Sequence, residues 1–149
     1  MSETKIKFIP SSSNNELNEI YNFNTIAFAD SQDFAWSKEN IKKEIKSGWE
    51  VISVKIENDI ICALFLKEEQ DCLLTKNTPI KLNYQGQGLS HIIKDYYEDY
   101  AKSKSLTGVL NYCPADNFRM IALNESHGYT KTGRNLDGNN SMIEWEKNL

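Results

Sequence analysis

The chain has 149 residues, of which 40% are hydrophobic, 26% charged and 11% aromatic, a balance that excludes a disordered chain and suits one domain with a buried core. Its formal charge of -4 at pH 7, with no basic stripe, argues against a nucleic-acid partner, because phosphate binding draws on clustered Lys and Arg. No apolar stretch follows Lys5 and Lys7 and no run reaches about 18 apolar residues, so the expectation is a cytoplasmic protein with no membrane partner.

Residues 5–10 predict a first strand, and the turn-rich run 11–15 a cap for a helix starting near Glu16. Leu17, Ile20, Tyr21, Asn24 and Phe28 recur at steps of three and four and give that helix a mostly apolar face. A second helix over 37–47 carries Ile41 and Ile45 and stops at Gly48.

The period then becomes two. Residues 51–56 and 60–66 form a predicted hairpin about Asn58-Asp59, and 72–82 reads as a further extended segment in which Pro79 implies an edge, a bulge or a splay. The longest predicted helix, 90–103, stacks Ile92, Tyr96 and Tyr100 beside Ile93, Tyr97 and Ala101. Asp95, Glu98 and Asp99, diluted by Lys94 and Lys102, read as its solvated face.

Residues 106–113 predict a buried strand and 117–127 a short helix closed by Gly128. Residues 130–134 and 142–145 predict two last strands about a turn at 137–140. The order defines one α/β domain over 1–149, with a mixed, mostly antiparallel sheet of six or seven strands and four helices. An exposed final strand would offer an edge for a dimer, so both monomer and homodimer remain open.

Cys62, Cys72 and Cys113 are odd in number and lack CxxC spacing, while His91 and His127 stand alone. Reduced thiols and no metal are the expectation.

Tyr84-Gln85-Gly86-Gln87-Gly88-Leu89-Ser90 joins a predicted extended segment to a helix. A helix N-terminus presents unpaired N–H groups, and glycine lets the backbone adopt positive φ and approach a phosphate. The same letters also suit a plain strand-to-helix turn. They do not spell a P-loop, and a dinucleotide fingerprint would need glycine where His91 stands.

Gln85, Gly88 and Ser90 occupy the fixed places of the Gln/Arg-x-x-Gly-x-Gly/Ala loop, and the chain here resembles the GNAT superfamily of N-acetyltransferases. The resemblance continues through residues 117–129, which look like an Asn-x-x-Ala-x-x-Leu-Tyr-x-x-x-Gly-Phe pattern with Asn117, Leu123 and Gly128 in place and Tyr129 where the pattern has Phe. It covers residues 71–134 well and the N-terminal half by element order.

The resemblance implies acetyl transfer from acetyl-CoA to a small-molecule or peptide amine, on a sheet splayed between its fourth and fifth strands. It implies that Ile80 and Leu82 pair with pantetheine and that Gln85, Gly86, Gln87, Gly88, Leu89 and Ser90 hold the pyrophosphate. Asn117 would contact the cofactor arm, cap its helix, or do both.

The usual general-acid tyrosine is Asn124 here, which can donate a hydrogen bond to sulfur but no proton, with Ser126, Tyr112 and Tyr97 as replacements or core. Glu68, Glu69 and Asp71 are candidates for a general base or members of a solvated loop. Phe28, Phe34, Trp36 and Tyr112 are candidates for the acceptor site, where aromatics among acids clasp a cation, although Phe34 and Trp36 also suit a helix staple. Cys113 would line the acyl site or be a small buried hydrophobe. A non-catalytic CoA-binding module and a protein-interaction domain are the rival functions.

Overall fold

A computed structural model of the chain describes residues 6–10, 13–27, 38–78, 80–134 and 142–149. The described elements are β1 (Ile6–Pro10), α1 (Asn14–Ala27), α2 (Lys38–Lys46), β2 (Glu50–Ile56), β3 (Asp59–Glu69) and β4 (Cys72–Asn77), followed by a 3₁₀ turn at Leu82–Tyr84. Then come α3 (Leu89–Ser103), β5 (Gly108–Pro114), α4 (Phe118–Ser126), β6 (Thr130–Lys131) and β7 (Met142–Asn148). The strands form one seven-stranded sheet in the order β1-β2-β3-β4-β5-β7-β6. Among the described residues no helix is long and apolar enough to cross a membrane. Pro79 and the predicted turn at 137–140 lie outside the described residues.

The chain divides into two compact units, the first holding residues 1–67 and 77–87, the second 68–76 and 88–149. In the first unit Ser13 starts α1: its Oγ accepts from the Glu16 N–H at 3.2 Å, satisfying one of the donors a helix start leaves open. Gly48 ends α2 at φ 107°, and Trp49 N–H returns to the Glu44 carbonyl at 3.0 Å. Leu17 and Ile20 of α1 and Ile41 of α2 bury with Val51, Ile60, Ala63 and Phe65, with Ile45 and Trp49 packed against them.

β1, β2 and β3 pair antiparallel, with a bulge where Val54 faces Cys62 and Lys55 faces Ile60. The β2–β3 turn falls at Glu57 and Asn58, one residue earlier than expected, with Glu57 at φ 57° and Asp59 already in β3. Beyond β4 the chain stays on the flank of β3. Thr78 N–H donates to the Ala63 carbonyl at 2.9 Å, Thr78 Oγ1 accepts from Ala63 N–H at 3.0 Å, and Lys81 N–H donates to the Ile61 carbonyl at 2.8 Å. A side-chain hydroxyl thus replaces one backbone acceptor.

In the second unit the β3–β4 turn is Gln70-Asp71, both left-handed at φ 50° and 65°, which is the twist a tight hairpin needs. β4 and β5 run parallel from Cys72 opposite Gly108 to Thr75 opposite Asn111. Their ladder stops there, while β5 continues against β7 as far as Pro114 opposite Met142. The final strand is not an exposed edge as expected: β7 lies between β5 and β6, with Thr130 opposite Glu146 and Lys131 opposite Trp145.

The face of α3 that packs inward is Leu89, Ile93, Tyr97 and Ala101, one residue round from the Ile92, Tyr96 and Tyr100 stripe; Ile92 is 40% exposed. The solvated acidic face also needs correcting. Asp95 and Asp99 are exposed, but Lys94 and Glu98 are only 5% and 8% exposed, because each meets partners from distant strands and helices.

Candidate functional site

Within the first unit, Gln85 turns back on its own loop. Its Nε2 donates to the Ile80 carbonyl at 2.7 Å, so two residues expected at the cofactor are in contact with each other. Gln87 Nε2 makes a long contact of 3.5 Å to the Asn83 carbonyl, and Lys81 Nζ pairs with Asp59 Oδ1 at 2.7 Å. Gly86 sits at φ 79° with nothing within 4 Å of where a Cβ would stand.

The second unit takes up the chain at Gly88, which caps α3 at φ 76° and ψ 10° without any side-chain hydrogen bond to the helix start. A Cβ there would again meet open space, so it is the backbone angle, not crowding, that demands glycine. Uncapped N–H groups with the positive end of a 15-residue helix behind them suit an anion. Leu89 is buried and Ser90 half-buried. Asn117 caps α4, its side chain accepting from Met120 N–H at 3.2 Å.

Asn124 lies wholly buried. Its Oδ1 accepts from Lys94 Nζ at 2.8 Å and from Asn111 Nδ2 at 2.9 Å, and its Nδ2 donates to Asn111 Oδ1 at 3.1 Å. An ammonium can only donate, which fixes the Asn124 oxygen toward Lys94 and hence the orientation of both amides. One of the two Nδ2 hydrogens of Asn124 is left over from these bonds.

Lys94 also stands 4.5 Å from the centre of the Tyr129 ring. Burial lowers its pKa to about 8, outweighing the opposing pull of Cys113 and Glu98. Cys113 is a buried member of β5, and burial raises its thiol despite the Lys94 charge. The Tyr129 phenol is buried without a hydrogen-bond partner, and burial, then Glu98, raises its pKa. Tyr97 is core.

The remaining expected residues fall elsewhere. Ser126 is exposed and donates to the Leu123 carbonyl at 2.8 Å. Glu68, Glu69 and Asp71 are exposed at the β3–β4 turn, where the Asp71 carbonyl accepts from Thr107 N–H at 2.7 Å. At about 3.3 Å per strand residue, Asp71 lies roughly 13 Å along β4 from Thr75, where the β4–β5 ladder ends.

Tyr112 is half-buried and bonds Glu144; its own burial first, and then that bond and the Glu144 charge, push the phenol up to about 12. Glu144 Oε1 in turn accepts from Thr132 Oγ1 at 2.9 Å and pairs with Arg134 at 2.5 Å. Phe28, Phe34 and Trp36 lie outside the described residues.

The sequence did not announce Lys94, Asn111 or the meeting of the two histidines. His91 Nδ1 and His127 Nε2, expected to stand alone, are 2.7 Å apart.

No family model and no curated protein matches the sequence. Solved structures do match its fold. The ribosomal-protein-S18-alanine N-acetyltransferase from Escherichia coli superposes with a TM-score of 0.78 at 16% identity, covering 97% of this chain and 94% of that one. An acetyltransferase from Streptococcus agalactiae gives 0.78 at 12% identity, covering 97% and 98%. A GNAT-family acetyltransferase from Staphylococcus aureus gives 0.73 at 13% identity, covering 97% and 99%. The chain therefore has the GNAT acetyltransferase fold, with its mixed, mostly antiparallel seven-stranded sheet and parallel β4–β5 pair.

Proposed function

We propose that the protein is an N-acetyltransferase that moves an acetyl group from acetyl-CoA to a primary amine by direct attack in a ternary complex. The observation that carries the reading is the parallel β4–β5 ladder that ends at Thr75 opposite Asn111 while β5 runs on. A gap between two strands leaves backbone groups for an extended pantetheine arm. In this reading Ile80, Leu82 and Asn117 serve the arm, and the loop from Gln85 through Gly86, Gln87, Gly88 and Leu89 to Ser90 serves the pyrophosphate.

The neutral amine attacks the thioester carbonyl, and the thiolate departs. A thiol of pKa roughly 8.5 leaves as a tolerable anion, so a proton donor is helpful rather than obligatory. Asn124 offers its remaining amide hydrogen to the sulfur, and the Lys94 ammonium on its Oδ1 polarises that amide into a stronger donor. Glu69, Asp71 and Ser126 stay as lesser candidates for moving the amine proton, and Phe28, Phe34, Trp36 and Tyr112 for holding the acceptor.

The same buried Asn124 favours a second reading, a non-catalytic CoA-binding module, because an amide cannot supply a proton. Thermal unfolding with excess acetyl-CoA tests the shared premise, since a ligand at 100 times its Kd stabilises by about 2.7 kcal/mol. A shift followed by thiol release with a panel of amines supports the enzyme; a shift without release supports the module. No shift overturns both and leaves an interaction domain.

A further inference from the structure

α3 carries His91, Asp95 and Glu98 at steps of four and three, which places them along one side of the helix. His127, at the C-cap of α4, meets that side. The His91 and His127 rings stack with centroids 4.9 Å apart and planes 27° apart. On its other edge, His127 Nδ1 lies 3.8 Å from Glu98 Oε2 and 4.0 Å from Asp95 Oδ1, and one ligand atom from each of these three residues falls within 4.8 Å of the others.

We propose that His127, Asp95 and Glu98 bind a divalent transition ion of the zinc, cobalt or nickel kind, with His91 and Lys147 holding two of the ligands in place. The inference stands apart from the acyl-transfer reading.

Across 2.7 Å the two imidazoles share one proton. The hydrogen sits on one ring or the other; in the tautomer where His127 donates from Nε2, its Nδ1 lone pair faces two carboxylates. In that tautomer the three acceptors stand 3.8 and 4.0 Å apart with no hydrogen between them, and a cation bound among them relieves their repulsion. Around an ion with bonds of about 2.0–2.2 Å, tetrahedral ligand atoms stand roughly 3.3–3.5 Å apart. Rotation of the exposed Asp95 side chain brings its oxygen in, and the 3.8 Å between His127 and Glu98 closes by a few tenths of an ångström on binding.

The support behind the ligands is of the kind metal sites use. Glu98 is nine-tenths buried and gives Oε1 to Lys147 Nζ at 2.5 Å, leaving Oε2 for the ion. His91 fixes the His127 ring through the other nitrogen. One nitrogen with two carboxylate oxygens suits the borderline transition ions better than calcium or magnesium, which take oxygen alone. The bound ion would tie the C-terminal end of α4 to the middle of α3.

The test is titration of the chelator-stripped, reduced full chain with Zn²⁺, followed by competition with a chromophoric chelator, and with Co²⁺ read by absorption. The expected result is one ion per chain, a Co²⁺ spectrum without a thiolate charge-transfer band, and affinity reduced at least tenfold in both Asp95→Asn and His127→Gln. His91→Gln should weaken binding by about tenfold. Asp95 is exposed, so Asp95→Asn separates loss of the site from loss of the fold. Absence of one-to-one binding, a thiolate band, or unchanged affinity in Asp95→Asn overturns the proposal.

Discussion

Lys94 of α3 and Asn124 of α4 meet at 2.8 Å, both out of solvent, at the position where the sequence motif leads one to expect a tyrosine. Burial sets the cost of this pair. With its pKa lowered from 10.5 to about 8, the Lys94 ammonium costs the folded state roughly 3 kcal/mol relative to the unfolded chain. Below pH 8 both states are protonated and the cost is complete. Between pH 8 and 10.5 only the unfolded chain holds the proton, so stability rises with pH. Urea unfolding of wild type and Lys94→Met from pH 7 to 10.5 should show a difference that grows in favour of wild type by about 3 kcal/mol; a flat difference contradicts the buried charge.

Removing the other partner has a larger effect. Asn124→Ala strands the Lys94 ammonium and the Asn111 amide without their shared acceptor, and should cost about 3–5 kcal/mol, as when a buried charge loses its partner. Asn124→Asp keeps the shape and gives Lys94 a carboxylate, so it should stay folded and raise the Lys94 pKa. Chemical denaturation of the two variants checks the contrast, and equal losses would show that neither shape nor an acceptor for Lys94 suffices and that the amide's own donor to Asn111 is required.

How these groups escaped the sequence is itself physical. Helix periodicity ranks residues by polarity, so Lys94 and Glu98 fell on the solvated face of α3 although both are buried. Their partners are Asn124 of α4, itself held by Asn111 of β5, and Lys147 of β7, and no local pattern records such partners. The histidines likewise meet across 36 positions. Local chemistry was legible where the cause is local: Gly88 at the helix start, Asn117 as a cap, Gly48 as a stop and the apolar run of β3. The β7 placement was not, because strand order is set by register against β5.

Thr78 tests how the segment after β4 is held to β3. Its hydroxyl accepts from Ala63 N–H at 3.0 Å inside the first unit, a bond that valine cannot make at nearly the same volume. Thr78→Val leaves a buried N–H unpaired and should lose about 1–3 kcal/mol in a urea titration with little change in slope. A loss under 0.5 kcal/mol would mean that another acceptor takes that N–H.

Gly88 separates backbone geometry from charge at the start of α3. Its φ of 76° is left-handed, a region that Asn and Asp tolerate best after glycine, and the site of a Cβ is open. Gly88→Asn and Gly88→Asp should therefore both fold, with melting temperatures within a few degrees of each other. Only the aspartate places a negative charge before the uncapped N–H groups, where it satisfies the helix dipole and repels a phosphate. Acetyl-CoA should still raise the melting temperature of Gly88→Asn and should fail to raise that of Gly88→Asp. Equal shifts in both variants would remove the pyrophosphate from this turn. Loss in both would assign the effect to the added side chain's bulk, leaving charge without a part in it.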